Sequence, residues 1–266
     1  MKEIKKKFTN IKIIFMLFLI KCLVKKVKIK NIKYLGSKYG GWYFKPKNIL
    51  KKSIIISAGL GEDASFDIEL INNYDCKIII IDPTPRAITH FKKILSKAGY
   101  TKIKKYSNHG YQNIRSYNLK KINKYNFKLI EKALFNTNNK KIKFFLPPNK
   151  NHVSHSINNW QNNYKTNSDF IVVKTINIKK IIKKFKISKI ELIKLDIEGA
   201  EIQVIKNMLQ NKIYPNQICV EFDELHKPSL NSFLKFFRTH KLLQANNYQA
   251  IRTNSKLQDM LYIRSN

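Results

Sequence analysis

The sequence predicts an α/β fold: a mostly parallel central sheet with helices on both faces and an antiparallel strand near its C-terminal end. Two observations carry this expectation. Short runs of branched apolar residues, at Ser53–Ser57, Lys77–Ile81, Glu191–Leu195 and Gln217–Phe222, alternate with segments of helical pattern. Runs so short and so apolar suit strands buried on both faces, as a parallel sheet requires. Each run also ends at glycines or acids, the residue types that α/β sheets place at the carboxyl ends of their strands to meet ligands. At 266 residues and 43% hydrophobic content, the chain fits one such domain with a modest extension.

The N-terminus is Lys-rich, then apolar over residues 11–24, then Lys-rich again. Within it Ile13–Ile20 is wholly apolar and is bracketed by Lys12 and Lys21. That is short of the ~20 residues a spanning helix needs. No small-residue cleavage site of a secretory signal follows. The expectation is a helix packed on the domain or making peripheral membrane contact, with lysines on its polar face. Residues 1–35 are therefore read as a basic and apolar helical segment and 36–266 as the main domain, entered through the turn Ser37–Trp42.

After the first strand, a helix is expected to about Asn73, and after Lys77–Ile81 another over Arg86–Ala98. Phe127–Ala133 and Lys141–Leu146 read as strands, with Asn149–Asn163 an ordered loop. Helices follow at Ile178–Phe185 and Gly199–Leu209. Asn231–Thr239 reads as helical and Met260–Arg264 as extended, closing the sheet.

The formal net charge is +35, from 52 Lys and Arg against 17 Asp and Glu. Such a field attracts nucleic acid, anionic lipid or acidic glycan. The lysines accompany many Asn and Ile, however, and run the whole length, so compositional bias explains them better than a selected surface. Cys22, Cys76 and Cys219 form no C-x-x-C pair, which argues against a disulfide framework or a cysteine zinc site. The expected location is cytoplasmic, with peripheral membrane contact through residues 11–24 as the alternative to packing on the domain.

Gly59-Leu60-Gly61-Glu62-Asp63-Ala64 fits G-x-G-x-x-G/A between a strand and a helix, and Asp82 follows at the end of the next strand. Glycines let the backbone turn and approach a ligand, while the acid accepts hydrogen bonds from ribose hydroxyls. A pyrophosphate favours N–H groups without nearby anions. Glu62 and Asp63 oppose it and favour a ligand with an ammonium and a sulfonium. The expected cofactor is S-adenosylmethionine rather than a nicotinamide dinucleotide, held by Gly59, Gly61, Glu62, Asp63, Asp82, Pro83 and Asp196.

The second constellation is Asp196-Ile197-Glu198-Gly199-Ala200-Glu201, directly after Glu191–Leu195. Asp196 and Glu198 sit at a strand mouth facing the same crevice. Glu201 reads as a favourable acid at a helix start. The next strand runs into Glu221-Phe222-Asp223-Glu224, with His226 close behind. Asp196 and His226 are the candidate general bases, since each can take a hydroxyl proton, and Glu198 supports the geometry. A divalent ion on Asp196 and Asp223 is a minor variant, and no metal is predicted. His152 and His155, with Ser154 and Ser156, either cover the substrate pocket or lie in a solvated loop.

These stretches resemble the FkbM-type methyltransferases, S-adenosylmethionine enzymes that mostly methylate hydroxyl groups. The matching stretches are Gly36–Trp42, Ser57–Asp67, Asp82–Arg86 (DPTPR), Phe144–Ile157, Lys194–Glu201 (KLDIEGAE) and Cys219–Asp223 (CVEFD), spanning Gly36 to Glu224. The resemblance implies a Rossmann-like class I methyltransferase fold with Gly59, Gly61 and Asp82 at the cofactor. It further implies that Asp196 and Glu198 lie near the transferred methyl. The expected acceptor is a hydroxyl on a small molecule or glycan. Competing readings are a nucleic-acid methyltransferase, for which no recognition motif is found, and a non-catalytic membrane-associated binding protein. A nicotinamide-dependent oxidoreductase comes last, on the charge argument.

Overall fold

The computed structural model describes residues 15, 18–20, 22–24, 26–46, 52–149, 153–159, 161–226, 229–253 and 259–265. A hairpin of β1 (Lys33–Leu35) and β2 (Trp42–Phe44) precedes the main sheet. Five parallel strands form that sheet's body: β3 (Ile54–Ala58), β4 (Lys77–Ile81), β5 (Phe127–Ile130), β9 (Ile190–Leu195) and β10 (Gln217–Glu221). They lie in the order β5-β4-β3-β9-β10. The antiparallel pair β11 (Tyr248–Thr253) and β12 (Asp259–Arg264) completes it, with β12 inserted between β10 and β11. A parallel body in this order is the doubly wound arrangement, and the strand order reverses between β3 and β9, where a crevice opens at the carboxyl ends.

The alternation of side chains along buried strands builds two cores. Ile56, Ala58, Ile79, Ile193, Leu195, Ile218 and Val220 face one layer. There they meet helices α3 (Ile178–Phe185), α4 (Glu201–Gln210) and α5 (Leu230–Ala245). Ile55, Ile78, Ile80, Leu192 and Cys219 face the other, against α1 (Ser65–Tyr74), α2 (Pro85–Ser96) and the aromatics of β2. Period-two alternation thus sends consecutive apolar residues to opposite helical layers.

The expected strand Phe127–Ala133 divides at Glu131-Lys132. Its first part joins the main sheet, while β6 (Ala133–Leu134) turns away to pair with β8 (Phe170–Ile176). β8 also pairs with β7 (Lys141–Phe145), making a small sheet. β8 and β11 are absent from the sequence reading: β8 reads FIVVKTI, an apolar run that is half-exposed, and β11 reads YQAIRT, broken by polar residues at an edge. The expected domain start at residue 36 cuts the first hairpin, since Lys33 pairs with Phe44 and Leu35 with Trp42. The preceding segment also packs on the domain: Ile20 and Val24 are buried in the first core, and the Val27 N–H donates to the Ala250 carbonyl on the edge strand β11.

Phe222, fully buried, follows β10 and fixes the turn that carries Asp223 and His226. Its ring meets Phe236 of α5 edge-on at 5.0 Å between centroids and Tyr262 of β12 at 6.5 Å. Phe222→Ala is expected to lower the unfolding free energy by about 3–5 kcal/mol, the cost of an unfilled aromatic site. A denaturant titration checks this, and a loss below about 1 kcal/mol would show that the turn is anchored elsewhere.

Candidate active site

A cavity of about 1450 Å³ opens at the carboxyl ends of β3, β4, β9 and β10. Glu62, Asp63, Asp82, Asp196, Glu198, Glu221 and Asp259 line it, so seven of the chain's 17 acids meet in one place. Lys26, Lys38, Lys194 and His226 line the same cavity.

The glycine loop enters this cavity because Gly59 has no side chain. Its φ is +85°, and a Cβ there would lie 1.7 Å from the Asp196 carbonyl oxygen. The loop and the end of β9 can touch only across a glycine. Two hydrogen-bonding groups then fix the loop. The Asp82 carboxylate accepts from the N–H groups of Leu60 (2.9 Å) and Gly61 (3.1 Å) with one oxygen, and from the Thr84 N–H and hydroxyl with the other. Lys194, at the inner end of β9, donates to the Gly59 carbonyl and stands 3.4 Å from the Asp196 carboxylate. Burial works against the Lys194 charge, but Asp196 and Asp67 outweigh it and hold the ammonium above its ordinary pKa.

Asp82 therefore clamps the loop through four donors of the chain, a role the sequence reading did not assign. The two loop acids differ from each other. Glu62 is ion-paired to Arg86 at the start of α2. Asp63 is buried and accepts from Ser37 Oγ (2.5 Å), the Ser65 N–H (2.9 Å) and Gln112 Nε2 (3.1 Å). Asp63 thus ties the first hairpin and the start of α1 to the loop, beside its place on the cavity wall. The charge expected from this pair is largely answered by the chain. Pro83 lines the cavity next to the clamp.

Opposite the loop, Asp196 and Glu198 line the cavity together. Glu198 has φ +54°, a conformation costly for a residue with a Cβ. It is held there by hydrogen bonds to its carbonyl from Ser156 Oγ (2.8 Å) and the Ile157 N–H (3.3 Å). Its carboxylate accepts from Gln161 at 3.3 Å. Burial, then Asp223 and Asp196, push the Glu198 carboxyl up to about 8, so it is neutral at pH 7. Glu201 is structural, as expected: its carboxylate accepts from the Ile197 and Gly199 N–H groups and closes the loop below α4.

His226 lies between Glu221 (Nε2–Oε1, 3.1 Å) and Asp223 (Nδ1–Oδ1, 3.2 Å). Burial lowers its pKa, but hydrogen bonds and charge from both carboxylates raise it further, to about 10. The imidazole is therefore protonated at neutral pH. A protonated imidazole bears against the expected role of His226 as general base, because a base must arrive unprotonated.

His155 lines the cavity beside Ser154, whereas His152 lies outside the described residues. Among the described residues, no three His, Cys, Asp or Glu side chains are placed to hold a metal ion. The cavity-lining residues that sequence reasoning did not single out are Lys194 and Gln161. Lys194 carried a usable signal, a lysine near the end of a mostly apolar strand two residues before Asp196. Gln161 carried none, since it reaches Glu198 from a distant loop.

No curated protein matches the sequence. Among solved structures the chain is similar to fibrillarin of Aeropyrum pernix, crystallised with natively bound S-adenosyl-L-methionine. That similarity has 10% sequence identity and a TM-score of 0.36, covering 91% of this chain and 85% of that one. Residues 34–250 match the family model of the methyltransferase FkbM domain, from the first hairpin into β11. With the sheet order and the glycine loop in place, the chain belongs to the FkbM methyltransferase family.

Proposed function

We propose that this methyltransferase transfers its methyl group to a hydroxyl oxygen of a small molecule or glycan, with Asp196 taking the hydroxyl proton. The cofactor is S-adenosylmethionine. The residues fit it: the Gly59–Gly61 turn and Pro83 line the cavity, and the carboxylates beside them suit a ligand carrying an ammonium and a sulfonium. When bound, it supplies a methyl carbon made electrophilic by the attached sulfonium. Gly59, Gly61 and Pro83 would hold it beside the loop that Asp82 and Asp63 keep in shape. The cavity exceeds the roughly 300–1,000 Å³ of an ordinary ligand pocket, leaving space for an acceptor alongside.

The observation that carries the reading is the pairing of Asp196 with Lys194 next to Glu198. Lys194 keeps a positive charge against Asp196, so the carboxylate is oriented toward the cavity as an acceptor. Glu198, neutral at pH 7, can donate a hydrogen bond to an acceptor oxygen and position it, while Asp196 removes the proton.

Asp196→Asn is expected to lower kcat by about a hundredfold, the usual share of a general base, with S-adenosylmethionine affinity nearly unchanged. Transfer of labelled methyl to an identified acceptor measures this, with calorimetry for binding. Turnover retained in the folded variant would remove Asp196 as the base.

Glu198 gives a pH prediction of definite sign. Its folded pKa of about 8 lies above the ordinary 4.5. The folded state therefore binds more protons between these values, and this group's contribution to stability falls as pH rises through that window. If the neutral form positions the acceptor, wild-type activity declines as pH rises through 8. Glu198→Gln, which stays neutral, should flatten that decline and raise the melting temperature above pH 8. An unchanged alkaline limb in the variant would assign the decline to another group.

A further inference from the structure

We propose that the segment around Phe15–Leu23 is an interfacial element that docks the protein on an anionic lipid surface, beside the cavity mouth. The segment has two faces. Ile20 and Val24, four residues apart, are buried in the core. Phe15 and Phe18 are 58% and 60% exposed, with Leu23 and Val27 also exposed. Side chains three and four apart share a helix face, so the grip on Ile20 and Val24 turns large apolar groups outward. The backbone bond from Val27 to Ala250 on the edge strand fixes the segment against the sheet.

The charge around this face selects the occupant. No acid occurs between Ile4 and Gly61, whereas Lys12, Lys21, Lys25, Lys26, Lys28 and Lys30 bracket the apolar run. Exposed aromatics flanked by lysines are the combination that settles into the headgroup and acyl boundary of anionic bilayers. A second copy of this chain would bring the same lysines face to face, and a polyanion alone gives no reason for exposed phenylalanines. No helix among the described residues is long and apolar enough to cross a membrane. Lys26 lines the active-site cavity. Docking through this segment therefore brings the cavity toward the bilayer, where an acceptor at the membrane surface is within reach.

The test is co-sedimentation of the full-length protein with phosphatidylcholine vesicles, and with the same vesicles containing about 30% phosphatidylserine, at low and high salt. The protein should bind the anionic vesicles and release them as salt rises. The triple variant Phe15→Ser, Phe18→Ser, Leu23→Ser should bind at least about tenfold more weakly. Its thermal melt should be unchanged, because these side chains are exposed. Replacing Lys12, Lys21, Lys25 and Lys28 by Gln should instead remove the preference for anionic over neutral vesicles. Equal binding by the triple variant and wild type would overturn the proposal, leaving bare lysine charge as the cause. Failure of the wild type to bind anionic vesicles would overturn it outright. Self-association in solution that the triple variant abolishes would overturn it in favour of a second copy.

Discussion

Two strand ends come into contact at the centre of this protein because one residue between them has no Cβ. Gly59, ending the turn after β3, lies against the backbone of Asp196 at the end of β9, where any side chain would overlap the Asp196 carbonyl. Lys194 closes the same junction by donating to the Gly59 carbonyl and facing Asp196. β3 and β9 are the neighbours at which the sheet reverses its strand order, so this contact sets where the crevice opens. The glycine loop on one side and Asp196 and Glu198 on the other take their positions from it.

The second organising feature is the gathering of scarce negative charge. Acids are outnumbered threefold in the sequence, yet seven of them meet in one cavity. Not all remain available to a ligand. Glu62 is paired with Arg86, Asp63 and Asp82 are consumed in holding the loop, and Asp196 answers Lys194. Burial and mutual repulsion keep Glu198 neutral at pH 7, while Glu221 and Asp223 charge His226. One cavity thus contains carboxylates of several kinds: structural clamps, a paired anion oriented by a lysine, and a neutral acid. Such a division of roles by environment is how a site runs acid and base chemistry at one pH.

Much of the fold was legible because the buried strands are short, branched and uninterrupted. Lys77–Ile81 and Ile178–Phe185 were read with their observed limits, and the glycine loop and strand-end acids followed from position. β11 was not legible, since an edge strand loses the continuous apolar pattern, and β8 went unread although it opens on the apolar run FIVV. Asp82 was recognised by its place, yet its clamp on Leu60 and Gly61 depends on backbone geometry that spacing does not encode. The surroundings of His226 were hidden for a related reason. Sequence showed acids nearby but not that two of them flank the ring within hydrogen-bonding distance.

The account rests on the claim that the Gly59 loop is the seat of a sulfonium cofactor. Calorimetric titration of the full-length protein with S-adenosylmethionine, S-adenosylhomocysteine and NAD tests it most directly, with Gly59→Ala as the comparison. The account predicts binding of both sulfur nucleotides, none of NAD, and loss of binding in a Gly59→Ala protein that retains its fold by circular dichroism. Properly folded wild-type protein that binds neither sulfur nucleotide would contradict it.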